Sequence, residues 1–355
     1  MKKASIIVTV DTEYPLVSNF FQLLFQTHDM SEYELIVVDD HCPHLETVEY
    51  LRRLSQEERI DQLIILEDKQ GFGRANNAGI MTSTTEYLVL INTDILLRGH
   101  EINRLLDRMK ELGCQAIQPL LLYPQSGRIQ SCGHIFGHLF NRHALEYNTP
   151  ECLAGQRAIE RQALTPAFCI VEKNAFMEVG CFDSFYYNSF EGLDLTLSLH
   201  LKSRHCVVAP DIQAYHIRMA SRSATFFNEE QQNPYFWSKY APLVKDDYID
   251  CVAAQLSPEQ RSRDYLACCL THLDLLSEVQ EAGLRISEAV NLQQAGSVEL
   301  FGTLPYSFLH TVYPLLFLCE HINQLSGNRL WMELRAREED LVIDSAGNVI
   351  PLCKL

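Results

Sequence analysis

Carboxylates stand directly after short apolar runs at several points in the first third of the chain. Asp11, the adjacent pair Asp39 and Asp40, and Asp94 each occupy this position. Such carboxylates can accept hydrogen bonds from a base or a ribose, and their oxygens are the ligands that a hard divalent cation prefers. A single acid after one strand has little meaning, because acids often cap the turn that follows. The repetition is what indicates a polar binding edge.

The tripeptide that ends at Asp94 adds an amide to this pattern. Asn92 and Asp94 lie two residues apart, with Thr93 between them, and on an extended chain both of their side chains point the same way. Together they could hold a divalent cation, with diphosphate oxygens completing its shell. Capping of a helix that begins near Glu101 is the alternative explanation.

A glycine-rich segment, Gly71–Gly79 with the sequence GFGRANNAG, follows a third apolar run and opens a helix. Its small residues allow the backbone to approach a ligand closely, and the first turn of a helix offers free N–H groups to an anion. The glycines do not have the spacing of GxGxxG. An ordinary turn between strand and helix is therefore the competing interpretation.

Two acids and a histidine later in the chain could take part in catalysis. Glu191 and Asp194 are three residues apart, so on a helix they share one face, and their repulsion would raise the pKa of one and make it a candidate base. A negatively charged helix N-terminus, which the macrodipole favours, would have the same pattern. His216 follows a predicted strand and is a candidate metal ligand, although one histidine among 13 is by default a surface or core residue.

These residues need a scaffold that brings the ends of several strands together. Strands and helices alternate over the first 100 residues, which predicts an α/β fold with a Rossmann-like, mostly parallel sheet flanked by helices. Ligands of such sheets bind beyond the carboxyl ends of the strands, where the acids lie. The predicted strands are Ser5–Val10, Leu35–Val38, Leu63–Leu66 and Tyr87–Ile91, and the predicted helices are Leu16–Gln26, Glu46–Leu54 and Ala75–Thr82.

The later part of the chain has a different pattern. Strands between Ala116 and His216 look less regular, and a helical pattern predominates from about residue 225. Ser257 caps a helix that has Pro258 at its first position and Gln260 three residues after the cap. We therefore predict one domain over residues 1–224 and an α-helical C-terminal domain over residues 225–355. The predicted C-terminal helices cover residues 257–283, Phe308–Leu325 and Leu330–Glu338.

Composition narrows the class of protein. The 355 residues suggest two domains, and 29 basic against 46 acidic residues give a net charge of −17, which disfavours binding to nucleic acid. The twelve cysteines form no CxxC pair, which argues against a zinc ribbon. No apolar run reaches the roughly 20 residues that span a bilayer, and the apolar stretch near the start is too short for a secretory signal. We expect a cytoplasmic protein, with peripheral contact at the inner face of a membrane left open.

The order of these motifs resembles that of the family 2 glycosyltransferases of the GT-A fold. The resemblance extends from about Ala4 to Ser223; each fragment is weak by itself, whereas the series in this order is specific. Besides the opening strand, the matching fragments are VVDD at 37–40, GFGxAxNxG at 71–79, LINTD at 90–94, the stretch 118–133 with Ile129 and Gln130, the stretch 176–183 with Phe182 and Asp183, the stretch 190–195 with Glu191 and Asp194, and Tyr215 and His216 with Ser221.

The resemblance implies an inverting transfer of a sugar from a nucleotide-sugar to an acceptor hydroxyl, with residues 1–100 binding the nucleotide and residues 101–224 forming the acceptor half. Asp94 and His216 would hold Mg²⁺ or Mn²⁺ on the diphosphate. Glu191 or Asp194 would deprotonate the acceptor as the anomeric carbon gains oxocarbenium character. The residues expected to bind the nucleotide are Val8, Asp11, Asp39, Asp40, Gly71, Gly73, Asn77, Asn92 and Thr93.

Three departures from the family pattern bear on activity. The opening segment lacks the family's proline and tyrosine and keeps Asp11 at its end, and Asn92 replaces the first acid of the metal motif. Gly192 stands where the family has the acid that often serves as the base, so Glu191 or Asp194 would have to take that role. The family's glycine before the acceptor-side strand is replaced around Pro166. A catalytically degenerate sugar-nucleotide-binding protein is therefore an alternative.

The donor and the partners follow from the habits of the family. A UDP-sugar is expected, with dTDP-rhamnose as the alternative. A nucleotidyltransferase is disfavoured, because the segment Val10–Glu13 after the first strand is not a glycine-rich basic loop. The expected acceptor is a growing polysaccharide, a lipid-linked glycan or a protein. A homodimer through the C-terminal helices is left open.

Overall fold

The chain forms two compact units in the computed structural model, which describes residues 2–137, 139–187, 189–217, 229–270, 275–292, 313–325 and 339–355. The first unit comprises Met1–His134 and Thr149–Val244. The second unit comprises Ile135–Asn148 and Lys245–Leu355. The candidate site residues all belong to the first unit.

Strands and helices alternate along the first third of the chain. The strands are β1 (Ala4–Val10), β2 (Tyr33–Asp39), β3 (Gln62–Ile65), β4 (Tyr87–Ile91), β5 (Ile95–Leu96), β6 (Ala116–Leu122), β7 (Ile129–Ser131), β8 (His134–Gly137), β9 (Phe140–His143), β10 (Ile159–Glu160), β11 (Phe168–Glu172), β12 (Cys206–His216), β13 (Asp264–Cys269), β14 (Arg285–Asn291), β15 (Leu315–Cys319), β16 (Leu341–Asp344) and β17 (Val349–Pro351). The helices are α1 (Tyr14–Thr27), α2 (Leu45–Gln56), α3 (Phe72–Thr82), α4 (Glu101–Leu112), α5 (Lys173–Glu178), α6 (Glu191–Leu201), α7 (Glu229–Tyr240), α8 (Tyr248–Gln255), α9 (Pro258–Ser262) and α10 (Leu275–Glu281).

Ten strands of the described residues form one sheet in the first unit. Its main path has the order β10-β12-β6-β11-β4-β1-β2-β3, with β5 beside β12 and β7 beside β6. Strands β1 to β4 are parallel, β11 lies antiparallel between β4 and β6, and β12 is parallel to β6. Therefore β1 to β4, β6 and β12 all run in one direction, and their carboxyl ends lie along one edge of the sheet.

Continuous apolar segments build this sheet. Ile6, Ile7 and Val8 of β1 are fully buried, as expected for a parallel strand that is covered on both faces. Helix α3 approaches the sheet at Gly79, where an added Cβ would lie only 3.0 Å from side-chain atoms of Ile7 and Val38. A larger residue would hold the helix away from the strands. This glycine therefore sets how closely α3 lies on the sheet and where its N-terminus stands.

The predicted α/β fold is confirmed for the first unit. All four strands and all three helices expected in residues 1–100 are present, as β1 to β4 and α1 to α3, with ends that differ by a few residues. Apolar periodicity identified them because each run is bounded by clear turn residues. The sheet is more mixed than expected, because the antiparallel strand β11 separates β4 from β6.

The second unit is not the α-helical domain that the sequence pattern predicted. Its main sheet has the order β14-β13-β15-β16-β17, in which the first four strands are parallel and β17 is antiparallel to β16. Strands β8 and β9 form a separate two-stranded sheet. The helical prediction is therefore wrong for this unit, and a homodimer through C-terminal helices loses its structural basis.

This error has a physical cause. The predicted cap is present, because the Ser257 hydroxyl accepts from the Gln260 N–H, but the helix that begins there ends at Ser262. The segment Asp264–Cys269 then forms β13, and its central residues are buried in the sheet. A short run that is apolar at nearly every position suits a buried parallel strand as well as one stripe of a helix. Periodicity alone does not separate the two.

The rest of the helical prediction lies partly outside the described residues. Within the predicted helix Phe308–Leu325, the segment Leu315–Cys319 forms β15 instead. The predicted helix Leu330–Glu338, Ser221 and the predicted domain boundary after residue 224 lie outside the described residues. In the part of the chain that is described, no helix has the length and apolar character needed to cross a membrane.

Candidate functional site

The carboxyl edge of the first sheet brings Asp94 and His216 together. Strand β5 begins directly after Asp94 and pairs with the end of β12, so that Ile95 lies opposite His216. The Ile217 N–H extends this pairing by donating to the Asp94 carbonyl at 3.0 Å. As a result His216 Nε2 lies 3.2 Å from Asp94 Oδ2, and the two side chains are only 13% and 11% exposed. The two predicted metal ligands are thus neighbours.

The geometry and chemistry of this pair fit a divalent cation. Asp94 Oδ1 is buried and has no hydrogen-bond partner among the described residues, a state that costs about 1–3 kcal/mol. Adjacent ligands of an octahedral metal, each about 2.1 Å from it, stand about 3 Å apart, close to the observed separation. Carboxylate oxygens suit Mg²⁺ and Mn²⁺, and the imidazole nitrogen favours the transition metal of the two. The described residues hold no group of three or more His, Cys, Asp or Glu side chains placed for a metal, so substrate and water oxygens would have to complete the shell.

Asp39 and Asp40, at the end of β2, are buried at the same edge. The Asp40 carboxylate organises the neighbouring loop by accepting from the N–H groups of Gln70 at 2.6 Å and Gly71 at 2.9 Å. Asp39 accepts from the Cys42 N–H at 2.8 Å. Burial raises the pKa of both aspartates by more than these hydrogen bonds lower it. Each carboxylate oxygen can accept a further hydrogen bond, so both side chains can still bind a ligand.

Asp11 and Thr93 link the neighbouring strand ends. Asp11 follows β1 and forms an ion pair with Lys69, whose Nζ lies 2.9 Å from Asp11 Oδ2. Burial lowers the pKa of Lys69, but the hydrogen bond to Asp11 and its negative charge outweigh burial, and the pKa lies above its ordinary value. The buried Thr93 hydroxyl lies 3.4 Å from the Thr12 hydroxyl. These contacts hold the ends of β1 and β4 side by side.

The glycine-rich segment forms a loop and the first turns of α3. Gly71 precedes the helix with a φ of 82°, a conformation that favours glycine. Gly73 lies against the start of α6, since an added Cβ would be 3.0 Å from Glu191 Cγ. Asn77 Nδ2 donates to the Phe182 carbonyl at 2.9 Å, and Asn77 Oδ1 accepts from the Phe182 N–H at 3.1 Å. Both ends of this amide bind the protein itself, so the structure gives Asn77 a role in holding α3.

Val8 and Asn92 occupy different positions relative to this edge. Val8 is fully buried within β1, pairs with Val37 of β2 and belongs to the hydrophobic core, so its side chain does not reach the edge. Asn92 follows β4 directly at the edge, where its N–H donates to the Ala167 carbonyl at 2.9 Å. The opening motif thus identifies the correct strand, but the Val8 side chain packs in the core.

Helix α6 begins at Glu191 and has no acid at its second position. Gly192 packs directly on Pro166: an added Cβ would lie 2.1 Å from Cδ and 2.2 Å from Cγ of the ring. The segment before Pro166 is held in place, because the Leu164 N–H donates to Thr196 Oγ1 at 2.9 Å. The proline ring therefore fills the space that an aspartate side chain would need at position 192. Glu191 is the buried carboxylate at this end of the helix.

Asp194 has a contact pattern that differs from that of a base. Its Oδ1 accepts from Lys239 Nζ at 2.5 Å, from the Tyr240 hydroxyl at 2.8 Å and from the Tyr186 hydroxyl at 3.0 Å. An oxygen that already accepts three hydrogen bonds has no room for the proton of an acceptor hydroxyl. Asp194 therefore anchors α7 to α6, and the catalytic role predicted for it does not suit these contacts.

Lys239 fills a cage of carboxylates and aromatic rings. Its Nζ lies 3.1 Å from Asp183 Oδ2 and 5.2 to 5.7 Å from the ring centroids of Tyr186, Tyr235 and Tyr240. Burial alone would lower the pKa of Lys239, but the neighbouring carboxylates outweigh it and raise the pKa above its ordinary value. No local sequence signal pointed to this residue, because its partners lie on a distant segment.

Comparison with known proteins identifies relatives of the first unit. Residues 5–166 match the family model described as glycosyl transferase family 2. Among curated proteins, the chain is 26% identical over 200 residues to the uncharacterized protein y4gI of Sinorhizobium fredii. That match covers 54% of this chain and 22% of the relative, so the chain spans about a fifth of the relative's length.

Solved structures show the same fold. The crystal structure of GalNAc-T7 with UDP, GalNAc and Mn²⁺ matches with a TM-score of 0.55 at 12% identity, covering 88% of this chain and 58% of that one. S. aureus TarS 1–349 matches with a TM-score of 0.45 at 16% identity, covering 61% and 60%. The mannosyltransferase PcManGT from Pyrobaculum calidifontis, in complex with GDP-Man and Mn²⁺, matches with a TM-score of 0.45 at 13% identity, covering 63% and 58%. The chain thus spans about three fifths of these structures, and the likeness to GalNAc-T7 confirms the GT-A fold.

Proposed function

Since residues 5–166 belong to glycosyl transferase family 2, we propose that the chain transfers a sugar from a nucleotide-sugar to an acceptor hydroxyl with inversion at the anomeric carbon. The observation that most supports this function is the Asp94–His216 pair, whose unsatisfied Asp94 oxygen fits a cation at the edge where a diphosphate would bind. A UDP-linked sugar is the proposed donor. A dTDP-linked rhamnose is the alternative donor.

Asp94 and His216 would hold Mn²⁺ or Mg²⁺, and the cation, when bound, would neutralise the leaving diphosphate. The contribution of the chain itself is to keep the two ligands in place. The pairing of β5 with β12 fixes both backbones, so neither side chain has to be drawn in from solvent. Preorganised ligands of this kind bind without a further entropy cost for ordering the chain.

Asp11, Asp39 and Asp40 are proposed to bind the base and ribose of the donor. All three follow strands whose carboxyl ends lie at the same edge as Asp94. Because Asp40 also holds the N–H groups of Gln70 and Gly71, a nucleoside that contacts Asp40 is positioned relative to the first turn of α3. The N–H groups of that turn are suited to binding an anion.

Glu191 is the proposed general base. The acceptor oxygen forms a bond to the anomeric carbon while the bond from that carbon to the diphosphate oxygen breaks. The acceptor proton passes to the Glu191 carboxylate, and the nucleoside diphosphate leaves with the electrons of the broken bond. Glu191 is buried beside Gly73, and this position places it next to the first turn of α3.

A catalytically degenerate sugar-nucleotide-binding protein is the second candidate, and one observation favours it. The ring of Pro166 fills the space at Gly192 where the family's acid would stand. Such a protein would bind a nucleotide without turning over its sugar. The two candidates therefore agree on binding and differ in catalysis, where Glu191→Gln would abolish transfer by an enzyme and change nothing in a degenerate binder.

Calorimetric titration with UDP, dTDP and GDP, each with and without Mn²⁺, tests the proposal. We expect one nucleotide to bind in a metal-dependent manner, and Asp94→Ala to lose this binding. Asp107→Ala, which changes an exposed aspartate on α4, is the matched control and should bind as the wild type does. Failure of all three nucleotides to bind would contradict the donor-site assignment.

The acceptor is proposed to be a hydroxyl of a polysaccharide, a lipid-linked glycan or a protein. An acceptor screen is informative once the nucleotide is known, because release of that nucleotide then reports transfer to any hydroxyl. Release that depends on the acceptor and is lost in Glu191→Gln would separate the enzyme from the degenerate binder. The cytoplasmic location stays a prediction.

A further inference from the structure

Gln130, on β7, binds His216 at two points. Its Oε1 contacts His216 Nδ1, and its Nε2 donates to the His216 carbonyl at 2.9 Å. The side chain is only 2% exposed. The contact forms because β7 and β12 both pair with β6 near Leu122, the end of that strand. Gln130 therefore holds the histidine through the ring nitrogen that does not face Asp94.

The main chain determines which way round the Gln130 amide stands. A carbonyl oxygen only accepts hydrogen bonds, so the half of the amide that faces the His216 carbonyl must be the NH₂ group. The amide oxygen is then the atom at His216 Nδ1. Because that oxygen also only accepts, Nδ1 must carry a hydrogen. The orientation of an amide is often ambiguous, but here a backbone group removes the ambiguity.

The consequence concerns the other ring nitrogen. A neutral imidazole with its hydrogen on Nδ1 has a bare lone pair on Nε2, and Nε2 is the atom 3.2 Å from Asp94 Oδ2. Two acceptors that face each other repel, unless a cation lies between them. We infer that Gln130 is the positioning residue of the cation site: it fixes the tautomer and the ring orientation in which His216 can bind a metal.

The cation in this inference rests on the proposed function, whereas the tautomer of His216 does not. A merely structural Gln130 would tie β7 to β12 and stabilise the sheet edge, but it would have no effect on the imidazole hydrogen. Residues that orient metal-binding histidines change metal affinity by about 10- to 100-fold when they are replaced. The two roles therefore differ in what a substitution changes.

Two substitutions and a matched control separate these roles. Gln130→Glu keeps an acceptor for the Nδ1 hydrogen, whereas Gln130→Met keeps the size of the side chain and removes the acceptor. Gln118→Met is the control, because Gln118 is also a buried glutamine, on the neighbouring strand β6. Its Oε1 accepts from the Thr165 N–H at 2.8 Å, and its Nε2 donates to the Pro119 carbonyl at 3.2 Å.

The first readout is the tautomer of His216 in the full chain without metal, measured by ¹⁵N NMR with labelled histidine. His216→Asn identifies the signal by its loss. We expect the hydrogen on Nδ1 in the wild type and in Gln130→Glu, and a substantial Nε2–H population in Gln130→Met. A wild-type His216 with its hydrogen on Nε2 would overturn the inference, whether or not the chain is a transferase.

The second readout is the affinity for Mn²⁺ in the presence of UDP, measured from the EPR signal of free Mn²⁺. We expect affinity to fall about 10- to 100-fold in Gln130→Met and to stay near the wild-type value in Gln130→Glu and Gln118→Met. Unchanged affinity in Gln130→Met, or an equal loss in Gln118→Met, would overturn the positioning role. A wild type that binds neither Mn²⁺ nor UDP contradicts the proposed function instead, and the NMR experiment still decides the tautomer.

Discussion

Replacing Gly192 by alanine tests whether Pro166 determines which residue stands at the second position of α6. At an open helix position, alanine in place of glycine stabilises a protein by about 0.5–1 kcal/mol. Here the new Cβ would lie 2.1 Å from Pro166 Cδ, whereas ordinary contact begins at 3.4 Å. The ring and the helix would therefore have to move apart by about 1.3 Å, the difference between these distances.

The segment that contains Pro166 resists such a movement. The Leu164 N–H is bound to Thr196 and the Thr165 N–H to Gln118. Overpacking a constrained site costs about 1–3 kcal/mol. We expect Gly192→Ala to lower the free energy of unfolding by about 2 kcal/mol, so the sign of the effect is opposite to that of helix preference alone.

Pro166→Ala should relieve the conflict, because it removes the two closest ring carbons and leaves only a Cβ at 3.1 Å from the new methyl group. In the double variant we expect most of the loss caused by Gly192→Ala to disappear, a coupling of about 2 kcal/mol between neighbouring residues. The same logic applies to activity. Gly192→Asp should not increase transfer unless Pro166 is also replaced.

Urea unfolding followed by tryptophan fluorescence measures these effects in the first unit. The chain has two tryptophans, and Trp237 lies on α7 of that unit. In a Trp331→Phe background the signal comes from Trp237 alone. A neutral or stabilising effect of Gly192→Ala would refute the steric argument. So would simple additivity of Gly192→Ala and Pro166→Ala.

Three further predictions use the same unfolding assay. Asp40→Asn can satisfy only one of its two backbone N–H donors and should cost about 1–3 kcal/mol while weakening UDP binding; unchanged stability contradicts the contact with Gly71. Lys239→Met leaves Asp194 without its cation and should cost about 2–3 kcal/mol, less than for a fully buried pair because Lys239 is partly exposed, whereas Lys239→Arg should cost less. Burial raises the pKa of Asp183, but its hydrogen bonds outweigh burial and lower it, so its stabilisation is complete above the ordinary value of 3.8 and is lost as the pH falls through the lowered pKa. The stability difference between wild type and Asp183→Asn should therefore shrink below that value, and a constant difference would contradict the assignment.

The sequence predicts this molecule well wherever the signal is local. Strands β1 to β4 are short apolar runs between turn residues, so their type and their order could be derived directly. The acids after them follow from the rule that ligands bind at the carboxyl ends of parallel strands. The pairing of Asp94 with His216 was available only through the family resemblance. The register of β5 against β12, which creates the contact, has no local signature.

Predictions from the sequence fail where packing between distant segments decides. Glu191 and Asp194 look equivalent in sequence, and only Lys239 on α7 shows that Asp194 is an anchor. Gln130 has an ordinary neighbourhood, and its role depends on two strands that meet at β6. In the second unit, the run that forms β13 is apolar on all sides, so its burial in a sheet could not be distinguished from a helix stripe.

The insertion of β11 between β4 and β6 sets the order in which the first sheet can be completed. A growing chain makes β1 to β4 first, and these strands can pair among themselves as they emerge. Asp94 is then already present, but its partner arrives only when β12 has been synthesised and has paired with β6 and β5. Pairings between segments so far apart in the chain form slowly. Recovery of Mn²⁺ binding during refolding should therefore lag behind recovery of secondary structure, and it would serve as a clock for the last step of assembly.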